Sequence, residues 1–597
     1  MHNKEVSKRV AALRNWMNNE RVDALIIPTS DPHNSEYTPD YWKCREWLTG
    51  FTGSAGTAVV TKDAAALWTD SRYYLQAAEQ LEGTPFVLMK DGEQGTPGIA
   101  EWLQSVCPVE AVVGIVPEMV SYESYAEWAE EGGLHLLPCD DPFGLIWSDR
   151  PRLSKEPVEI QPLEYAGATI SEKLSAIRSA FAGEDVNYFL MNDLGEIAWT
   201  LNLRGNDVEY NPVFLSYLLV HDGGAILFID ERKVSDEVRE YLRQENVKVR
   251  GYNDLKRFIA DHAESMVAYV FPPSMNYDII HLADELCLDY GIAPSPAEQL
   301  RAVKSQAEVA GYRRAMERDG VAMVRFLRWL DEHVGKGGIT EVDVDRQLTA
   351  FRAEQPLYRG LSFATIAGYA AHGAIVHYEA EAETAAVLEP RGLLLLDSGA
   401  QYEDGTTDIT RTIALGPLTE EERKVYTLVL KGHIALSRAC FPEGTTGLEL
   451  DMAARYAMWQ EGYDFGHGTG HGVGSRGCVH EGPHQIRKNY RPCTVVPFRA
   501  GMTITNEPGI YVSGRFGVRI ENVLLTEAGA TTDFGRFLRF EVLTLCPIDL
   551  RPVVREMLTP AEVDWLNAYH QTVRERLLPL LPCEEDRTWL LKSTVFE

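Results

Sequence analysis

Residues 393–415 read LLLLDSGAQYEDGTTDITRTIAL. Two β-type runs flank Tyr402-Glu403-Asp404-Gly405, and Asp-Gly is a strong hairpin signal, so the segment predicts an antiparallel pair of strands. Folding it brings Asp397 and Asp408 onto neighbouring strands. An Asp before Ser-Gly is most often a turn residue bonded to its own backbone. Asp408 resists that reading, because it falls inside TTDITRT, a β run in which Asp is disfavoured.

Three segments downstream carry compatible chemistry. In Gly466-His467-Gly468-Thr469-Gly470-His471-Gly472-Val473-Gly474 the glycines exclude a stable helix, so the two histidines share a face only if the chain is extended. Glycine also lets the backbone approach a site closely. Glu507 closes the strand MTITNE ahead of Pro508, which biases it towards extended geometry. Glu521 lies in GVRIENVLLT with Arg519 two residues back, and strand periodicity puts both on one face, where the guanidinium would orient the carboxylate. Taken alone, that Arg-x-Glu pair also reads as a solvated ion pair.

The argument is collective. Asp397, Asp408, His471, Glu507 and Glu521 supply four carboxylates and one imidazole, an oxygen-rich set suited to two hard divalent cations. Carboxylates gathered in a buried cleft raise one another's pKa and stay ionised only beside cations. Two metals roughly 3.5–4 Å apart can hold a bridging hydroxide and polarise a carbonyl, the chemistry of amide hydrolysis. The residues imply a hydrolase.

Other motifs are incidental. His480-Glu481-Gly482-Pro483-His484 satisfies HExxH, but Gly-Pro forbids the helix that motif needs. Gly472-Val473-Gly474-Ser475-Arg476-Gly477 matches GxGxxG, yet it neither follows an apolar strand nor opens a helix. Gly53-Ser54-Ala55-Gly56 lacks the first glycine of a nucleophile elbow.

Upstream the pattern is α/β: a helix near 6–19, the strand ALII at 24–27, then TAVV and AALWTD. AALWTDSR, ending at Arg72, has a counterpart in AILFIDER, ending at Arg232, which reads as a weak internal duplication. Proline-bearing stretches at 148–163 and near 292–298 place domain edges near 155 and 308, giving three domains, 1–155, 156–308 and 309–597. The third opens with a long helical pattern, KSQAEVAGYRRAMERDGVAMVRFLRWLDEHV. Lys and Arg total 57 against 88 Asp and Glu, a net charge of -31, which disfavours nucleic acid and anionic lipid as partners. No apolar run is long enough to span a bilayer, and the N-terminus MHNKEVSKRVAALRNWM reads as an amphipathic helix without a cleavage site. Nine scattered cysteines without a CxxC pair suit a reducing compartment, so a cytoplasmic address is expected.

With these residues in hand, the chain resembles the pita-bread metallopeptidases, and closely the three-domain cytosolic Xaa-Pro aminopeptidases, the aminopeptidase P family. The likeness runs near full length through DPHNSEY, FTGSAGT, WTDSRYY, GAIVHYEA, LLDSGAQYEDGTTDITRT, HGTGHGVG, VHEGP, TNEPGIY, FGVRIENV and LTPAEVDWLNAYH. It implies two creatinase-like α/β domains before a pita-bread catalytic domain with a C-terminal extension. It further implies that Asp397 binds one metal, His471 and Glu507 the other, and that Asp408 and Glu521 bridge them. Glu507 would be the general base, His480 a donor to the tetrahedral oxyanion, and His377 and His467 would line the substrate site. Arg519 keeps its orienting role. The usual metal of the family is manganese, with zinc and cobalt open. The implied substrate is a peptide with proline second, cut before the proline, and the implied assembly is a homodimer. Ser475-Arg476-Gly477-Cys478 departs from the family pattern, and a cation there bears on leaving-group preference.

Two alternatives stand beside this expectation. A prolidase-type dipeptidase shares the fold, but the extra N-terminal domain and the tail favour the longer enzyme. A catalytically inactive pita-bread binding module, or a metal-independent relative such as creatinase, would have lost ligands, and all five are present.

Overall fold

In the computed structural model, which describes residues 2–182, 186–263 and 268–596, the chain divides into two compact units. One comprises Met1–Gln161 with Ala168–Ala297, the other Pro162–Gly167 with Glu298–Glu597. Helix α1, His2–Glu20, opens the first. Its buried Val6, Val10, Leu13 and Met17 recur at helical spacing, which is why it packs on one face.

The first unit holds two six-stranded sheets. Strands β1 (Ala24–Pro28), β2 (Thr57–Thr61), β3 (Ala65–Thr69), β4 (Val87–Lys90), β5 (Val112–Ile115) and β6 (His135–Pro138) lie in the order β4-β3-β2-β1-β5-β6. Strands β7 (Tyr188–Met191), β8 (Ser216–His221), β9 (Gly224–Ile229), β10 (Val247–Gly251), β11 (Ala268–Phe271) and β12 (Asp289–Ile292) repeat it as β10-β9-β8-β7-β11-β12. Directions repeat as well: β1 is antiparallel to β2 and parallel to β5, as β7 is to β8 and β11. The duplicated sequence falls on the equivalent strands β3 and β9. Each is followed by the same local pair, Asp70 with Arg72 at 2.7 Å and Asp230 with Arg232 at 2.5 Å. Strand β9 is buried at every residue, so GAILFI runs apolar without alternation. One apolar cluster runs from Ala24, Ile26 and Trp68 to Leu219, Phe228 and Phe271, through both sheets.

The second unit begins its long helix α2, Gln306–His333, with a capping box. The Ser305 hydroxyl accepts from the Glu308 N–H at 3.2 Å, and the Glu308 carboxylate accepts from the Ser305 N–H at 2.8 Å. Arg314 and Arg318, one turn apart on α2, both bind the buried Asp404 carboxylate. That grip fixes the predicted hairpin against the helix. Strand β14 (Leu393–Ser398) pairs with β13 (Ile366–Tyr369) on one side and β17 (Ile409–Ala414) on the other, with Asp397 opposite Thr410. Strands β15 (Ala400–Tyr402) and β16 (Gly405–Thr406) close the turn.

Asp408 is not inside a strand, as TTDITRT suggested; it lies in the break between β16 and β17. The cause is Thr407, whose side-chain oxygen accepts from the Ala400 N–H at 3.0 Å and displaces the regular ladder. Strand β18 (Gly470–Gly472) pairs with β19 (Glu481–Ile486), and β21 (Gly509–Val512) with β22 (Phe516–Arg519). Strand β20 (Thr503–Asn506) pairs with β23 (Asn522–Thr532) so that Asn506 faces Asn522. Glu507 and Glu521 therefore project from the same end of one ladder. Helix α3 (Glu341–Ala353) packs on β13, and α4 (Pro560–Leu577) packs against α2. Among the described residues, no helix is long and apolar enough to cross a membrane.

Candidate metal centre

Asp408, His471 and Glu521 each bring one donor atom to within 4.8 Å of the others. They come from the break before β17, from β18 and from the residue ahead of β23, so three remote stretches of sequence converge. His471 Nδ1 lies 2.9 Å from its neighbouring Gly472 carbonyl. A proton there leaves Nε2 facing the carboxylates, 3.4 Å from Asp408 Oδ2 and 3.6 Å from Glu507 Oε1. Glu507 sits beside the cluster, with Oε1 accepting from the Thr505 hydroxyl at 3.3 Å. The close approach needs glycine: a Cβ on Gly470 would stand 2.0 Å from the Thr505 carbonyl oxygen.

Asp397 completes the set from β14. Its Oδ2 accepts from Arg519 Nη2 at 2.7 Å, while Oδ1 is buried without a hydrogen-bond partner among the described residues. Arg519 thus departs from the strand-periodicity expectation, since its carboxylate partner is Asp397 rather than Glu521. Strand β22 ends at Arg519 and β23 starts at Asn522, so the two-residue alternation does not carry across residues 520–521. Arg519 reaches Glu521 indirectly: its Nε donates to Thr410 Oγ1 at 3.2 Å, and Thr410 donates to Glu521 Oε2 at 2.7 Å.

The electrostatics describe a site short of positive charge. Burial raises Asp397, with the Asp408 charge adding and Arg519 opposing. Burial likewise raises Glu507, and raises Glu521 well above the carboxylate range, helped by the charges of Asp408, Asp397 and Glu507. Burial favours neutral His471, but its bond to Asp408 and the Glu507 and Asp408 charges outweigh this and raise it to about 9. An imidazole that holds its proton so firmly stands where a cation would be welcome. An orphaned carboxylate oxygen and three carboxyls pushed up by burial fit divalent cations, and the donor set matches hard ions.

The remaining expected residues surround this core. His480 is half-buried and stands edge-on to His471, ring centroids 4.3 Å apart. His467 Nδ1 lies 2.7 Å from the Gly468 carbonyl and 3.8 Å from Glu507 Oε2, and its Nε2 is 2.8 Å from the Tyr511 hydroxyl. Burial, aided by the Arg519 charge, holds His467 neutral. His377 lies between Val376, whose carbonyl accepts from Arg519 at 3.3 Å, and Tyr378, whose hydroxyl donates to Glu341 at 2.9 Å.

Three contributors were not foreseen. Thr410 lies two residues from Asp408, but Asp408 stands outside β17, so strand alternation does not announce it. Tyr511 accepts from Arg519 Nη1 at 2.6 Å and carries no sequence signal of its role. Glu341, fully buried at the start of α3, accepts from the Tyr369 and Ala386 N–H groups, each at 2.7 Å, and lies 3.0 Å from His372 Nδ1. It fastens the loop that bears His377. The HExxH-like stretch divides as its Gly-Pro required: it runs into strand β19, and His484 is buried with Nε2 2.7 Å from the Thr503 carbonyl. Arg476 is 3% exposed and bound to Glu403, which Arg359 also holds, so this cation is directed into the hairpin.

Residues 310–528 match metallopeptidase family M24, and 536–595 the C-terminal region of peptidase M24. Residues 9–149 and 149–308 each match a creatinase/prolidase N-terminal domain. Aminopeptidase P2 of Arabidopsis thaliana is 40% identical over 96% of this chain and 86% of its own length. Aminopeptidase P1 of Lotus japonicus is 37% identical over 98% of this chain and 99% of its own. Among solved structures, the X-prolyl aminopeptidase of Caenorhabditis elegans, described as a cytosolic enzyme with a di-nuclear active site, matches with a TM-score of 0.94. It is 33% identical and each chain covers 99% of the other.

Proposed function

Because the chain belongs to metallopeptidase family M24, with the domain makeup of its aminopeptidase P members, we propose that it is a metal-dependent Xaa-Pro aminopeptidase that releases the first residue from peptides with proline second. The observation that carries the reading is the meeting of Asp408, His471 and Glu521 donors within 4.8 Å, flanked by Asp397 and Glu507. Two divalent cations held by these five residues would neutralise the carboxylates, polarise the scissile carbonyl and acidify a water. In this reading Asp397 serves one ion, His471 and Glu507 the other, and Asp408 and Glu521 both. Manganese suits a set of four carboxylates and one imidazole, with zinc and cobalt as comparison ions.

The chain's own groups divide the remaining work. Glu507, hydrogen-bonded by Thr505 and raised by burial, takes the proton of the attacking water and can return it to the proline nitrogen. His480, beside His471, donates to the oxyanion that develops on the carbonyl. His467 is kept neutral and lines the substrate site with His377. Arg519 orients Asp397 directly and Glu521 through Thr410. The bond before proline is a tertiary amide without an N–H, so selection rests on ring shape rather than on that donor. The two N-terminal family matches, 9–149 and 149–308, support three domains, with the edges proposed near 155 and 308; the cytosolic description of the Caenorhabditis elegans enzyme supports a cytoplasmic address, and a homodimer belongs to the same proposal.

The test is metal analysis coupled to an assay on Arg-Pro-Pro, with a proline-free tripeptide as control. Release of free arginine from Arg-Pro-Pro alone, with two ions per chain, is expected. No release with manganese, zinc or cobalt would overturn the proposal. Faster turnover of Xaa-Pro than of Xaa-Pro-Yaa would point to a dipeptidase instead.

A further inference from the structure

Arg411 is 1% exposed, and its guanidinium donates to six acceptors. Nε donates to the Pro547 carbonyl at 2.9 Å; Nη1 donates to the Thr410 carbonyl at 2.9 Å and the Glu521 carbonyl at 2.6 Å. Nη2 shares its two N–H groups among Asn522 Oδ1 at 2.8 Å, the Cys546 carbonyl at 2.9 Å and the Tyr569 hydroxyl at 2.9 Å. None of the six is a carboxylate. An apolar side chain could fill this volume, but only a planar fork of fixed donors can hold carbonyls from separate strands in one arrangement.

The acceptors fall into two groups. Thr410, Glu521 and Asn522 belong to the candidate centre: Thr410 is two residues from Asp408 and bonds the Glu521 carboxylate, and Glu521 offers its own carbonyl. Cys546, Pro547 and Tyr569 belong to the C-terminal region, residues 536–595, which contains α4. Tyr569 is itself fixed: its hydroxyl donates to the Cys546 carbonyl at 2.7 Å, and its ring stacks on Trp565 with centroids 5.4 Å apart.

We propose that Arg411, held by Tyr569, is the positioning residue through which the C-terminal region fixes the two segments that carry Asp408 and Glu521. The inference rests on the reading of those segments as cation ligands. Arg411 touches neither ion nor peptide; it sets the spacing between donors, and a small error in that spacing is felt as lost cation affinity.

The experiment measures Mn²⁺ binding by calorimetry, together with kcat and KM on Arg-Pro-Pro, for the full-length protein and three variants. Tyr569→Phe removes one hydroxyl and keeps the stacked ring, and Arg411→Lys removes the fork and keeps the charge. Leu590→Ala, at a buried position of the helix Glu584–Ser593, is the control that loosens C-terminal packing outside the relay. The expected result is at least tenfold weaker Mn²⁺ binding in Tyr569→Phe and Arg411→Lys, with kcat reduced, KM unchanged and partial recovery in excess Mn²⁺. Leu590→Ala should lower the melting temperature alone. Wild-type Mn²⁺ affinity and kcat in Tyr569→Phe overturn the inference, and this variant decides the matter if Arg411→Lys does not fold. A wild-type chain that binds no Mn²⁺ sinks the reading of the site and this inference with it. A wild-type chain that binds and cleaves while Tyr569→Phe matches it sinks the inference only.

Discussion

Asp408 is the carboxylate on which the centre pivots. It lies against His471 and belongs to the tight cluster with Glu521. In Asp408→Asn the shape is kept, but a neutral amide cannot offset cationic charge, and on the proposed reading a residue that serves both ions cannot lose one alone. The expected outcome is loss of both metal equivalents and a fall in kcat/KM on the order of a hundredfold or more, with far-UV circular dichroism unchanged. Metal analysis that finds two equivalents in this variant refutes the shared role.

At the scale of elements, the hairpin of β15 and β16 acts as a bracket. Its two tip carboxylates are each bound by a pair of arginines, Asp404 by Arg314 and Arg318, and Glu403 by Arg359 and Arg476. Gln401 also donates to the Gly477 carbonyl at 2.8 Å, and the Gly477 N–H donates to Thr406 Oγ1 at 3.2 Å. The segment between β18 and β19, which delivers His480, is thereby tied to the hairpin. Arg476→Gln should lower kcat by roughly 10- to 100-fold through misplaced His480, with KM nearly constant across peptides of different length. A change confined to KM and graded with the leaving group would show instead that Arg476 meets the substrate.

How much of this was legible in the sequence depended on whether the signal was local. The hairpin declared itself through Asp404-Gly405 between β runs, and the glycine ladder of 466–474 through residues that cannot form a helix. Which carboxylate Arg519 meets directly was not legible, because its strand ends at Arg519, two residues before Glu521, a break that periodicity does not reveal. The partner of Arg476 was hidden for another reason: Glu403 is 73 residues away, and no spacing rule connects them. Glu341 and Tyr511 were invisible on the same ground, since each matters only through what folding places beside it.

At the scale of the whole molecule, acid should be the effective denaturant. Burial lowers His433 and His570 to about 3 and His484 to about 4. These rings are neutral when folded, whereas the unfolded chain takes up their protons near pH 6.5. Their stabilising contribution is therefore complete above about pH 6.5 and is lost as pH falls from there towards 3 to 4. The Ile548 N–H donates to His570 Nε2 at 3.1 Å, and glutamine can accept the same bond. His570→Gln should flatten the dependence of unfolding free energy on pH between 6 and 4 by up to about 1.4 kcal/mol per pH unit, the value of one proton. Denaturant titrations at pH 7, 6 and 5 check it, and parallel slopes for variant and wild type would refute it.

Asn506 faces Asn522 in an antiparallel ladder, and the chain leaves that ladder at Glu507 on one side and enters it at Glu521 on the other. Sliding one strand by a single step would turn its acidic neighbour to the opposite side of the pleat. Correct pairing and the meeting of these two carboxylates are thus one event rather than two. A molecule that has mispaired here parts Glu507 from Glu521, and a cation that needs both would report that the zipper closed on the right tooth.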